Sequence, residues 1–453
     1  MKPDPKAASG SSHLSTGVEC LRAVETQHPL VPLLLKFRAL SKVHSTYDWR
    51  NYLYVPKRLS TAGLRGIAKS GLTTSQVLMS AKSHGRIHSK WNQQQTRTGR
   101  LSSSEPNQQQ VPNSKEVTSN CVVDVRRLFK APEGYVLVSA DYAQIEMRVL
   151  AHFCNDKNMQ ALFRSSDTTT NDIYLLMAAS VFAKPLNQVT KTDRNRVKTV
   201  SLGIIYGIGV NQIMSRLDLQ QSEAQHMKDL FFKLYPGVRS FMASVKENVR
   251  KSGYVSSLLS YRRYLPDINS TNTSARAKAE RSAINSVIQG SASDILKMAM
   301  LQVDEEVRRW QQSEVAVRLP RLIMSIHDEV IYEVHVSHQV QFVAALRHIL
   351  EQRVPQAFNL KVPLTVTIAA GPSWGELQPI KDPATYEMCA PCVKSGPSIV
   401  NRPSDGAASH AFDTAFEENT STNTSSNHNN KTLAHLRGSD YTSINAPKFK
   451  STD

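Results

Sequence analysis

The apolar run Val136-Leu137-Val138 predicts a buried strand, and Asp141 stands where that run gives out. Beyond it the period changes. Ile145, Val149 and Phe153 recur every fourth residue, which predicts a helix. The same form returns far downstream, where Leu322 to Ile326 lead into His327-Asp328-Glu329 and Val330 to Val334 continue as a strand. An aspartate at the mouth of a strand caps the following helix or holds a cation, and one instance does not choose between the two. Two strand-borne acid sites, distant in sequence, form the arrangement that two-metal phosphoryl transfer requires.

Around these stretches the pattern alternates between helix and strand. Val18 to Ser45 has a helical period, interrupted near Pro29 and Pro32. Arg50 to Ser89 carries no strong period and reads as a loop or insertion. Asn155 to Phe182 reads as helices with a polar break at 165–171. Ser222 to Gly253 gives two helices parted near Tyr235-Pro236-Gly237, and Tyr254 to Pro266 gives a hairpin. Ala275 to Val303 is a long helix whose Ala283, Ile284, Val287 and Ile288 face a core. Gln339 to Arg353 is helical, and Val362 to Ala369 is a strand. Residues 1–13 and 381–453 are polar and low in complexity, as in Glu418 to Asn430, and are expected to be disordered.

Several polar residues share faces on these elements. Arg194, Lys198, Leu202 and Tyr206 recur every fourth residue, and on an α-helix that step drifts only ~40°, giving one slanting stripe. Two cations and a phenol in that row suit a triphosphate and a base; an amphipathic helix with a basic edge is the plainer alternative. Arg281, Asn285 and Gln289 line one face of the long helix, as donors to minor-groove acceptors or as a solvated edge. Arg38 and Lys42 lie one turn apart, as a phosphate-tracking row or a solvated face, and Arg100 sits among hydroxyls and amides that suit phosphates and base edges or form a plain polar loop.

Charge sharpens the choice of partner. The 453 residues carry a net charge of +17 with a pI near 9.6, and nucleic acid is the leading polyanion for such a surface. The hydrophobic share of 40% and the length allow one large domain or two to three ordinary ones. No apolar run reaches membrane-spanning length, and Met1 to Thr16 lacks the apolar region of a signal peptide. Five scattered cysteines fit reduced thiols, and Cys389 and Cys392 lack the second pair that a zinc site needs.

TGRLSS (98–103), DYAQIEMR (141–148), RNRVKTVSLGIIYG (194–207), AERSAINSVIQGSASDI (279–295) and SIHDEV (325–330) occur in that order. In these motifs the chain, from about His28 to Pro379, resembles the polymerase region of the family A DNA polymerases, the group of bacterial DNA polymerase I. The resemblance implies an α+β, right-hand fold with an antiparallel-sheet palm, helical fingers and a truncated thumb. A thumb remnant would span 14–47, the palm 48–150 (with an insertion near 51–84) and 263–380, and the fingers 151–262.

Carried over motif by motif, the resemblance implies that Asp141 and Asp328 hold two Mg²⁺ ions, helped by the main-chain carbonyl of Tyr142, with Glu329 as an accessory acid. Lys198 would protonate pyrophosphate. Arg194, Lys198, Tyr206, Glu146, Gln144 and Tyr174 would meet the incoming dNTP, with Glu146 excluding a ribose 2′-hydroxyl. Arg38, Lys42, Arg100, Asn107, Gln109, Arg281, Asn285, Gln289 and His327 would contact primer-template DNA. The implied activity is template-directed DNA synthesis by a monomer, without proofreading, in repair or lesion bypass. A catalytically impaired, DNA-binding polymerase fragment is the alternative, and a two-metal nuclease a third.

The chain departs from the family pattern at Leu202, where Phe or Tyr is usual, and at Tyr174, where a His is usual. Gln108 to Gln110 replaces a Leu-Gln-Asn pattern. The 51–84 segment and the Trp374-Gly375-Glu376-Leu377 ending lean towards the animal nu and theta branch, which implies the nucleus, or else the mitochondrion.

Overall fold

The computed structural model describes residues 16–47, 49, 53–54, 85–113, 115–118, 121–165, 172–207, 209–313 and 318–380. The chain divides into two units, 1–396 and 397–453, and every described residue lies in the first. The expected leader, most of the 51–84 insertion, the tail and the Cys389/Cys392 pair lie outside the described residues.

The described part opens with helix α1 (Leu30–Tyr47), after a short turn of helix at Val18–Arg22. Pro32 falls in the first turn of α1, where a missing N–H breaks no helical bond. Strand β1 (Tyr135–Tyr142) runs into α2 (Ile145–Cys154). Helix α3 (Ile173–Phe182) and α4 (Lys191–Ile205) follow. Then come α5 (Pro236–Ser252), the hairpin 254–264 and the long α6 (Thr273–Ser313). The hairpin of β2 (Arg321–Ile326) and β3 (Glu329–His335), helix α7 (Gln339–His348), β4 (Val366–Gly371) and the two-residue β5 (Gln378–Pro379) complete it.

The five strands form one antiparallel sheet in the order β2-β3-β1-β4-β5, with β1 at its centre. A central strand must be apolar on both faces, and alternation along β1 achieves this. Val136, Val138, Ala140 and Tyr142 face the large core built with α2, α3, α4, α6 and α7. Leu137 faces the other way, into a smaller core with Val111, Val125, Met324, Ile326, Ile331 and Trp374. The Trp374–Leu377 ending belongs to that second core. The Arg126 guanidinium lies 4.1 Å from the Trp374 ring centroid, and Glu376 accepts from Ser373 Oγ (2.7 Å) and Arg127 (2.6 Å). A Cβ on Gly375 would meet the Arg127 backbone nitrogen at 2.7 Å, so packing demands this glycine.

Two long elements depart from the sequence expectation by several residues. The long helix runs to Ser313 rather than Val303, carried on by the pairs Asp304–Arg308 (2.8 Å) and Glu306–Arg309 (2.9 Å) one turn apart. The last long strand begins at Val366, not Val362. Pro363 has no N–H for a ladder, and its carbonyl is taken by Arg148 Nη1 at 2.5 Å.

Candidate nucleotide-transfer site

Asp141 sits at the end of β1, directly opposite Glu329 on β3 and Thr367 on β4. Asp328 occupies the two-residue turn that joins β2 to β3, closed by the Ile326–Glu329 pair. The Tyr142 N–H donates to the Asp328 carbonyl at 3.3 Å, so the two aspartates share one mouth of the sheet. His327, the other turn residue, has a left-handed φ of 54°, which folds the hairpin back tightly enough to present Asp328 there.

Three acids in so small a space repel one another. Enclosure by the cleft, then the Asp328 charge, raises Asp141 to about 6, although its side chain still reaches water. Enclosure, then the Asp141 charge, raises Glu329 to about 7, against the pull of Arg126 and a hydrogen bond to Ser139. Asp328 is raised as well, by enclosure, with Arg100 opposing. Among the described residues no group of three His, Cys, Asp or Glu side chains has metal-ligating geometry. Two aspartates beside a main-chain carbonyl are nonetheless the hard oxygen donors that suit Mg²⁺, which keeps several of its own waters. A cation at this mouth would relieve the repulsion. Here Arg100 partly plays that part, since its Nη2 lies 3.2 Å from Asp328 Oδ1 and 2.8 Å from Glu146 Oε1.

Arg100 is aimed by the turn before it. Gly99 adopts a φ of 73°, and its carbonyl accepts from Ser293 Oγ on α6 at 2.9 Å. Thr96 Oγ1 donates to the Arg100 carbonyl at 2.6 Å. Beside this turn a cavity of about 180 Å³ is lined by Thr96, Arg100, Gln109, Lys297, Ser325 and His327. Glu146, on the first turn of α2, is buried, and its second oxygen accepts from the Tyr206 hydroxyl at 2.7 Å. Enclosure and Glu146 raise that phenol to about 12. A hydrogen bond to Gln289 acts on the same phenol, so Gln289, Tyr206, Glu146, Arg100 and Asp328 form one chain of contacts.

Helix α4 carries the basic row. A reciprocal cap fixes its start, with Thr190 Oγ1 accepting from Asp193 N and Asp193 Oδ2 accepting from Thr190 N, both at 3.1 Å. Arg194 and Lys198 lie over the Tyr174 ring, with cationic centres 5.9 and 5.7 Å from its centroid. Tyr206 caps the far end, and Gly207 follows with a φ of 63°; a Cβ there would meet Arg281 Cγ at 2.4 Å. The left-handed turn and the close passage of Arg281 both require glycine.

The structure thus brings together the acids, Tyr142, Arg100, Glu146, Tyr206 and Gln289, and sets Arg194, Lys198 and Tyr174 along helices α3 and α4. Gln144, with a φ of 47°, has a buried carboxamide oxygen without a hydrogen-bond partner. Asn285 is half-buried and Arg281 exposed on the Gln289 face of α6, and His327 is exposed on its turn. Asn107 and Gln109 are engaged within the chain. Asn107 Oδ1 accepts from Gln109 N at 3.0 Å, and Gln109 Nε2 donates to Leu101 O (3.1 Å) and Ser325 O (3.0 Å). Arg38 and Lys42 ride on α1, with Arg38 bonded to the Thr16 carbonyl at 2.5 Å.

Two residues at the site escaped the sequence reading. Asp172 caps α3 and pairs with Arg194. Arg148, only 2% exposed, clamps the turn after Asp141, donating to Ala143 O (2.9 Å) and Thr365 Oγ1 (2.7 Å) as well as to Pro363 O. Asp172 ahead of an apolar helix is a visible cap signal. Nothing local announces a buried arginine.

Residues 1–376 match the family model described as DNA polymerase family A. DNA polymerase I of Treponema pallidum is 34% identical over 372 residues, covering 82% of this chain and 33% of the relative. DNA polymerase I of Mycobacterium leprae is 36% identical over 377 residues, covering 82% and 36%. The chain therefore spans about a third of the length of these relatives. A solved structure of the POL domain of Pol1 from M. smegmatis, in complex with DNA primer-template and dNTP, is 31% identical with a TM-score of 0.63. It covers 82% of this chain, which covers 58% of it, and the two share the α+β architecture of a polymerase domain.

Proposed function

Because the chain belongs to DNA polymerase family A, we propose that it is a DNA-directed DNA polymerase, adding deoxynucleotides to the 3′-hydroxyl of a primer paired to a template. The observation that carries this reading is the meeting of Asp141 and Asp328 at one mouth of the sheet, joined through Tyr142 N–H. Supporting it, the solved relative holds primer-template DNA and a dNTP.

Asp141, Asp328 and the Tyr142 carbonyl would hold two Mg²⁺ ions, with Glu329 beside them. When bound, such ions supply charge neutralisation and activation of a hydroxyl. The chain's own residues do the rest. Arg194 and Lys198 grip the triphosphate from α4, and Lys198 delivers a proton to the departing pyrophosphate. Glu146, fixed through one oxygen by Arg100 and through the other by Tyr206, presents a rigid carboxylate that bars a ribose 2′-hydroxyl. Arg100 must exchange Asp328 for the primer-template as the site fills. His327, Arg281, Asn285 and Gln289 complete the DNA contacts, and Arg38 and Lys42 track the backbone further out.

Asp328→Asn is expected to stop Mg²⁺-dependent extension of a labelled primer while leaving primer-template binding in place; extension at the normal rate would refute the assignment. Shortening of the primer instead would favour a nuclease. A role in repair or lesion bypass extends the same reading. Synthesis past an abasic site by the full chain supports that extension, and arrest at the lesion counts against it.

A further inference from the structure

We infer that Asp172 is a positioning residue that aims Arg194 at the triphosphate. Its two carboxylate oxygens have different tasks. Oδ1 accepts from the Tyr174 N–H at 3.1 Å and so is pinned to the start of α3. Oδ2 accepts from Arg194 Nε. A guanidinium held at Nε, on a carboxylate that cannot itself turn, has its fork direction fixed. Tyr174 completes the mount, since its ring lies beneath both the Arg194 guanidinium and the Lys198 ammonium. Among the described residues Nη1 reaches only the neighbouring Asn195 Oδ1, at 3.3 Å. The two terminal nitrogens therefore remain available to an incoming anion while Nε stays anchored.

This arrangement matters because ordering an arginine costs rotamer entropy, which a fixed mount removes before the ligand arrives. The pair is part-exposed, with side chains 30% and 31% accessible, so charge alone gives it little worth and orientation is its main effect. Simple electrostatics makes the opposite forecast. Removing a negative charge beside Arg194 should strengthen anion binding. The sign of the change therefore separates aiming from mere charge.

The inference rests on the reading of Arg194 and Lys198 as a triphosphate grip. It is tested by calorimetric titration of the full chain with inorganic tripolyphosphate, for wild type, Asp172→Asn and Asp172→Ser. Asn and Ser both retain a capping oxygen for α3, so thermal unfolding should be little changed. Neither offers a carboxylate to Nε. The expected result is about tenfold weaker binding in both variants, or about 1.4 kcal/mol, with KM for dNTP raised and kcat nearly unchanged in primer extension. Equal or tighter tripolyphosphate binding in the variants overturns the role of Asp172 and leaves the grip standing. No binding by the wild type, with Arg194→Gln identical to it, overturns both.

Discussion

The acid mouth of the sheet and the basic row of α4 are built on opposite plans. At the mouth, Asp141, Asp328 and Glu329 come from the central strand and from a hairpin far downstream, and enclosure first, with like charge second, raises Asp141 to about 6 and Glu329 to about 7. On α4, Arg194 and Lys198 are one turn apart, and each is met by a neighbour already in place: Asp172 for Arg194, and the Tyr174 face for both. One region encloses acids whose charge a bound cation would relieve; the other is pre-balanced and merely aimed. Long-range convergence builds sites that need a ligand to be comfortable, whereas local periodicity builds sites that are already comfortable.

The sharpest way to break the contrast is at the mouth. Asp141→Asn should lower single-nucleotide primer extension at least about 10³-fold, since ion-mediated charge stabilisation contributes several kcal/mol. Fluorescence anisotropy should show primer-template binding nearly intact. On α4 the loss should be smaller: Lys198→Met should reduce the extension rate about 10²-fold, the scale of one general acid. A rate unchanged in rapid-quench measurement would remove Lys198 from the chemistry. Gly207→Ala tests the turn that ends α4, and a strained turn pressed on Arg281 should cost about 1–3 kcal/mol of stability in denaturant unfolding.

The smallest effect is in pH. Asp141 and Glu329 have folded values above their unfolded ones, so their contribution to stability is fully present below the unfolded values. It is lost as pH rises through about 6 to 7. Metal-free protein should therefore melt at a higher temperature at pH 5 than at pH 8, and Asp141→Asn should flatten that slope. An unchanged slope in the variant would show that the acids do not repel as described.

What the sequence disclosed follows the same division. The strand ending at Asp141, the hairpin carrying Asp328 and the Arg194-Lys198-Tyr206 row were legible, because each is written in a local period of two or near four. The two-faced burial of β1 was legible as its unbroken apolar run. Arg100 on Glu146 and Asp328, Asp172 on Arg194 and Arg148 on the 363–365 turn were not, because polar contacts between distant segments leave no periodic trace. The late start of β4 had the same origin, since Arg148 claims the Pro363 carbonyl from across the fold. The Trp374–Leu377 ending, read as a mark of lineage, proved to have a packing task in the second core.

The central claim is that Asp141 and Asp328 form one shared site for divalent cations. Mn²⁺ titration followed by electron paramagnetic resonance, on the full chain with primer-template bound, tests it most directly. Asp141→Asn and Asp328→Asn should each abolish the same bound Mn²⁺ signal, and the double variant should lose no more than either alone. Retention of wild-type Mn²⁺ affinity by either single variant would contradict a shared site.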